Sequence, residues 1–206
     1  HAGGGARRAG REQVALHRLR SPLPAGLIQP LQLHGKAAHG LLAIDLGALL
    51  GEGLHIERRR FDLAALAERV AHESQEGHPE RVVNVNSLGD PAGEWDEDRM
   101  AQVVSNLTGN ALDHGARGES IDLLIDGRDP VTVTLSVSNG GQIPADVLPF
   151  VFDPFRSGTQ RQANRSGLGL GLYIVQQIVQ AHGGQIEARN EGGRAEFRAS
   201  LPRRGV

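Results

Sequence analysis

Three stretches bring together residue types able to handle a phosphorylated ligand. In SNLTGNALDHG, Asn106 and Asn110 stand four residues apart. On a helix they share a face, and paired amide oxygens there can ligate a hard cation and touch phosphate. In SVSNGGQIP a strand pattern runs into Gly140 and Gly141 and then Ile143-Pro144; glycines at a strand end let a ligand approach the backbone closely. In SGLGLGLYIV, Gly167, Gly169 and Gly171 open a helix, where unpaired N–H groups and the positive end of the helix dipole suit phosphate. Each stretch has a plain alternative when taken singly: asparagines solvating a helix, an ordinary turn, a bare glycine run. The third is not a dinucleotide fingerprint, because no strand immediately precedes it and its spacing differs.

Regular elements must hold these stretches in place. Asp96 to His114 reads as the strongest helix, with Met100, Val103, Val104, Leu107 and Ala111 on one apolar stripe and Gly115 just past its end. A flat apolar surface is needed beneath it. Ile121 to Asp126 and Val131 to Ser138 supply two strands; in the second, Val131, Val133, Leu135 and Val137 alternate with Thr and Ser, so one face is buried and the other wetted. Leu170 to Ala181 reads as a second amphipathic helix stopped by Gly183-Gly184, followed by strands at Gln185 to Arg189 and Arg194 to Leu201. Upstream, Leu63, Leu66, Ala67 and Val70 recur at helical spacing behind an Asp62 N-cap, and Arg81 to Asn86 alternates weakly as a strand. Between the second and third stretches lie a short segment, Ala145 to Phe155, and a polar loop, Arg156 to Ser166, expected to be mobile for want of apolar anchors. The sum is an α+β fold, a two-layer sandwich with helices on one face of a mixed, mainly antiparallel sheet.

The bulk properties narrow the function classes. A net charge of -2 and a pI near 6.5 create no field to draw nucleic acid, and no basic stripe carries interleaved aromatics. The absence of cysteine rules out disulfides and cysteine zinc sites, and no histidine cluster has metal-ligand spacing. No apolar run reaches the ~18 residues that span a bilayer, so a cytoplasmic location fits, with a membrane-anchored parent left open. The chain starts with His and a Gly/Ala/Arg-rich stretch, as expected of a fragment or processed product. Pro22, Pro24, Pro30 and recurrent glycines make residues 1–53 irregular. Residues 54–206 form the expected ordered domain.

Together, the order and spacing of the three stretches resemble the N, G1 and G2 boxes of the GHKL ATPase superfamily with the Bergerat fold. They are most similar to the catalytic domain of bacterial sensor histidine kinases. LPFVFDPFRSG resembles the F box, and EGGRAEFRASLPR the closing hairpin, so the resemblance runs from about Leu54 to Arg203. It implies ATP and Mg²⁺ as cofactors. Asn110 would be the Mg²⁺ ligand and catalytic residue, and Asn106 would line the phosphate side. Gly140 and Gly141 would make room for adenine, against which Ile143 would pack. Phe152 to Phe155 would form the centre of the F box, and Ser157 to Ser166 the lid over the nucleotide. Gly167, Leu168, Gly169, Leu170 and Gly171 would hinge that lid and cradle phosphates. Two departures stand out. Where the family has an Asp that accepts the adenine amine, this chain has Ser138-Asn139 and is one residue short; Asn139 can still accept that bond as a neutral amide. Where many relatives have Lys after the second N-box Asn, this chain has Asp113 and His114, which removes a cation from the phosphate side.

HRLRSPL, His17 to Leu23, is similar to the H box, which makes His17 the candidate phosphoacceptor. Arg18 occupies the place of the acid that acts as base there, and a guanidinium cannot take a proton at neutral pH. Residues 1–53 also look too short and too rich in proline for two long dimerisation helices, so they are expected to be a partial or degenerate phosphoacceptor region and linker. The resemblance implies ATP-dependent autophosphorylation on histidine and transfer to an Asp of a response-regulator receiver domain, within a homodimer. The alternatives are an ATP/Mg²⁺-binding module without an active acceptor, and a serine-kinase or anti-sigma relative on the same fold.

Overall fold

The computed structural model describes residues 54–154 and 170–204, which fall in a compact unit, Gly53–Val206. His17, the lid Ser157 to Ser166, Phe155, Gly167, Leu168 and Gly169 lie outside the described residues.

The chain enters through β1 (Arg59–Asp62) and α1 (Leu63–Glu76), then β2 (Val83–Gly89), β3 (Ala92–Trp95) and α2 (Glu97–His114). It continues through β4 (Ile121–Gly127), β5 (Thr132–Gly140), a 3-10 turn at Leu148–Phe150, α3 (Gly171–Ala181), β6 (Gln185–Glu191) and β7 (Arg194–Pro202). Five strands form one sheet in the order β2-β4-β5-β7-β6, parallel between β2 and β4 and antiparallel elsewhere.

Alternation along the strands decides which face the helices cover. Ile121, Leu123 and Ile125 on β4, Val133, Leu135 and Val137 on β5, and Phe197, Ala199 and Leu201 on β7 are buried, while the residues between them, Asp122 and Leu124, Thr134 and Ser136, and Arg198 and Ser200, point to the open face. Onto the apolar face α2 lays Met100, Val103, Val104, Leu107 and Ala111, none more than 1% exposed. Each fully buried large aliphatic side chain of this stripe contributes ~1.5–3 kcal/mol. α1 and α3 flank α2 and complete the second layer. This is the two-layer α/β sandwich expected from the periodicity.

The helix ends are specified by side chains. Asp62 caps α1 by accepting from Ala64 N and Ala65 N at 2.8 and 3.0 Å, and Asp96 caps α2 through Arg99 N at 3.0 Å. At the end of α3, Gly183 at φ 77° lets its own N–H reach Gln180 O and that of Gly184 reach Val179 O, both at 2.9 Å, closing the helix in a Schellman motif. The end of α2 is built differently. Gly115 is extended at φ -68° and ψ 145°. It is needed because a side chain there would strike the Ala111 carbonyl. The buried Arg81 guanidinium stops the helix instead, donating to the Ala111, Gly115 and Ala116 carbonyls, a cation placed on the negative end of the dipole.

A two-stranded ribbon was not anticipated. Arg59–Asp62 pairs antiparallel with Ala92–Trp95, and four-residue strands are too short to show alternation. Trp95 pins the ribbon to the sheet: it is fully buried, stands edge-on to Phe61 at 5.6 Å, and donates from Nε1 to Pro202 O at 2.8 Å.

Candidate functional site

α2 carries Asn106 and Asn110 on the flank of its apolar stripe, both half-buried. Asn106 reaches α3: its Nδ2 donates to Gly171 O at 3.4 Å, and a Cβ at Gly171 would lie 3.8 Å from the Asn106 amide carbon. The opening of α3 therefore sits directly against Asn106. Leu170, 7% exposed, precedes that helix without a capping side chain, so the first-turn N–H groups of α3 depend on some other acceptor. Asp113 is exposed and lies one turn beyond Asn110 on the same face.

The other wall comes from the end of β5. The pleat decides between Ser138 and Asn139: Ser138 points to the open face, where Arg194 donates to its carbonyl at 3.2 Å. Asn139 points to the helix side and is only 4% exposed. Its Nδ2 donates to Gly140 O at 2.9 Å, which leaves Oδ1 as the accepting end of the amide. The Gly140 carbonyl also accepts from Ala116 N at 2.9 Å, tying the turn after β5 to the loop after α2. Gly141 adopts φ 98°, a conformation that only glycine takes at low cost. Ile143 is half-buried against the core, and Phe152 stacks edge-on against Phe197 of the sheet, with centroids 6.2 Å apart.

The described candidate residues thus occupy two walls: Asn106, Asn110, Leu170 and Gly171 on α2 and at the opening of α3, and Asn139, Gly140, Gly141 and Ile143 at the end of β5 and in the turn after it. Among the described residues no group of three or more His, Asp and Glu could hold a metal by itself.

Three residues near the walls escaped the sequence reading. Arg81, read as the start of a strand, is 6% exposed and fixes the end of α2. Asn190 bonds Ile143 twice; an Asn next to Glu191-Gly192-Gly193 carries only the signal of a turn. His182, at the far end of α3, caps that helix and is wholly buried. Its ring fits inside because both nitrogens are used, Nδ1 with Ile178 O at 2.8 Å and Nε2 with Asp96 N at 3.0 Å.

Known proteins resemble this chain in sequence and in fold. Residues 95–205 match the family described as histidine kinase-, DNA gyrase B-, and HSP90-like ATPase. Sensor histidine kinase TrcS of Mycobacterium tuberculosis is 34% identical over 182 residues, which is 83% of this chain and 35% of that protein. Signal transduction histidine-protein kinase AfsQ2 of Streptomyces coelicolor is 40% identical over 109 residues, 52% of this chain and 20% of the relative. The chain thus spans about a third or less of the length of these relatives. Among solved structures, the nucleotide-free catalytic domain of histidine kinase ThkA superposes with a TM-score of 0.64 at 26% identity, covering 72% of this chain and 97% of that one. With two walls built from the N-box and G1 stretches, and a family match over more than half its length, the chain belongs to the histidine kinase-, DNA gyrase B- and HSP90-like ATPases, with a catalytic domain of the bacterial sensor histidine kinase type.

Proposed function

We propose that this chain binds ATP with Mg²⁺ between the two walls and serves as the catalytic part of a sensor histidine kinase, phosphorylating a histidine and passing the phosphoryl group to an Asp of a response-regulator receiver domain. The observation that carries this reading is the Asn106–Gly171 contact, which sets one amide of the helix α2 pair against a helix opening that has no capping side chain. Amide oxygens and free N–H groups together suit a cation and the phosphates it bridges.

Asn110 would hold Mg²⁺ through its amide oxygen, with phosphate and water supplying the remaining ligands. An Mg²⁺ ion held by Asn110 would supply charge neutralisation for the phosphates. Asn106 would line the phosphates, and Gly167, Leu168, Gly169, Leu170 and Gly171 would cradle them. Asn139 would accept the adenine amine at Oδ1, beside Gly140, Gly141 and Ile143. Phe155 would belong to the aromatic segment flanking the lid. His17 would be the phosphoacceptor, within a homodimer of the parent protein.

A second reading is favoured by one feature of the sequence: Arg18 stands where a general base is wanted beside His17. The chain would then bind MgATP without phosphorylating itself. Incubation with γ-labelled ATP and Mg²⁺ separates the two. Acid-labile label that disappears in His17→Ala and Asn110→Ala, and that moves to an added receiver domain, supports the kinase. Nucleotide binding without label on the unmutated chain supports the second reading.

A further inference from the structure

Asn190 is the penultimate residue of β6, the outermost strand beyond β7. Its side chain is exposed, yet both ends of its amide are used on one residue: Oδ1 accepts from Ile143 N at 2.8 Å and Nδ2 donates to Ile143 O at 2.9 Å. The side chain thereby acts as one more rung of backbone pairing for a loop 47 residues away. Register fixes where this happens. Asn190 pairs with Ala195, and Ala195 pairs with Asn139, so the two asparagines stand in one cross-strand row on the helix-facing side with only an alanine between them. At about 4.8 Å per strand they are roughly 10 Å apart.

The turn between β5 and Pro144 is therefore held at both ends. Its start is fixed by the β5–β7 ladder and by Ala116 N on Gly140 O. Its far end is fixed by Asn190. Between them lie Gly141, at φ 98°, and Gln142. Without Asn190 the far end would keep, among the described residues, the packing of the Ile143 side chain on the core and the Pro144 carbonyl, which accepts from Val147 N and Leu148 N. A wall left loose must be ordered when a ligand arrives, and that ordering subtracts from affinity.

We infer that Asn190 is a positioning residue for nucleotide recognition: it holds Ile143 and the G1 turn in the conformation that receives the adenine ring beside Asn139. This rests on the ATP-binding reading above, and deepens it by assigning base selectivity to a residue outside the recognised boxes.

The test is calorimetric titration of the full chain with ATP and with GTP, each with and without Mg²⁺, for the unmutated protein, Asn190→Ala and Asn190→Asp. Amide exchange at Ile143 is followed alongside. Loss of two neutral hydrogen bonds and the order they impose is expected to weaken ATP about 3- to 10-fold in Asn190→Ala, by the same factor with and without Mg²⁺. The preference for ATP over GTP should narrow, and exchange at Ile143 should accelerate. Asn190→Asp keeps the acceptor for Ile143 N but loses the donor, so it falls between, and it serves if the alanine variant does not fold. If the unmutated chain binds ATP and both variants match it in affinity and selectivity, the inference is overturned while the ATP reading stands. If the unmutated chain binds no ATP, the ATP reading itself fails and takes the inference with it.

Discussion

The backbone N–H of Asp96 donates to Nε2 of His182 at 3.0 Å, joining the start of α2 to the end of α3. The same Asp96 caps α2 with Oδ1 and accepts Glu57 N with Oδ2 at 2.9 Å. Arg58 reaches the Ala181 and Glu94 carbonyls at 3.4 and 3.5 Å. One end of α3 is thus tied to α2 and to the entering segment through His182, and the other end to α2 through Asn106 and Gly171. The helix that opens with the candidate phosphate cradle is held to the amide-bearing helix at both ends.

This junction makes stability depend on pH. Burial pushes the His182 imidazole below its ordinary value of 6.5, helped by the nearby Arg58 cation and opposed by the Ile178 carbonyl bond and by Asp96. Below about pH 6.5 the unfolded chain takes up a proton there that the folded one does not. Stability is therefore complete above that pH and falls as the pH drops, by at most about 1.4 kcal/mol per unit, until the folded imidazole also protonates. His182→Gln should cost about 2–3 kcal/mol at pH 8 through lost packing and bonds, and should flatten the decline between pH 7 and 5. Urea midpoints followed by the fluorescence of Trp95, the single tryptophan, measure both; parallel pH profiles for the two proteins contradict this role.

Two glycines in the walls should respond with opposite signs. Gly109 lies inside α2, and a Cβ there meets nothing within 4 Å, so Gly109→Ala is expected to stabilise by about 0.5–1 kcal/mol. Gly141 sits at φ 98°, so Gly141→Ala should destabilise by about 1–2 kcal/mol and weaken nucleotide binding as well. Thermal midpoints of both variants decide the signs.

Asp113 shares the face of Asn106 and Asn110 one turn further on and is exposed. A carboxylate there repels phosphate, and its replacement by a cation changes the local charge by two. Asp113→Lys is expected to tighten MgATP by about 3- to 10-fold at low salt, fading as ionic strength rises. Titrations at two salt concentrations check this; unchanged affinity at both would place Asp113 away from the phosphates.

The sequence made the framework legible because its period is strong where burial is strong. Val133, Leu135 and Val137 alternate as read, although Val131, counted with them, lies ahead of β5 and is 67% exposed; Met100, Val103, Leu107 and Ala111 keep the helical stripe, so α2 and most of β5 follow directly. What stayed hidden depends on contacts distant in sequence. Nothing near Arg81 announces that its guanidinium will meet carbonyls 30 residues on, and Asn190 resembles any turn asparagine until β6 is placed beside the loop at Ile143. His182 shows the same limit: a histidine before Gly183-Gly184 signals a cap, whereas its burial depends on Asp96 being brought to its ring. Between Ser138 and Asn139, spacing to Ile143-Pro144 was ambiguous, and the pleat of β5 placed only the second on the helix side.

The most direct test of the central claim is equilibrium titration of the chain with ATP, with and without Mg²⁺, beside Asn110→Ala. The unmutated chain should bind ATP more tightly when Mg²⁺ is present, and Asn110→Ala should lose that gain, weakening MgATP about 10-fold or more while its thermal midpoint stays close to the original. Nucleotide affinity indifferent to both Mg²⁺ and Asn110, or no binding by the unmutated chain, would contradict the assignment of this cleft as an Mg²⁺-dependent ATP site.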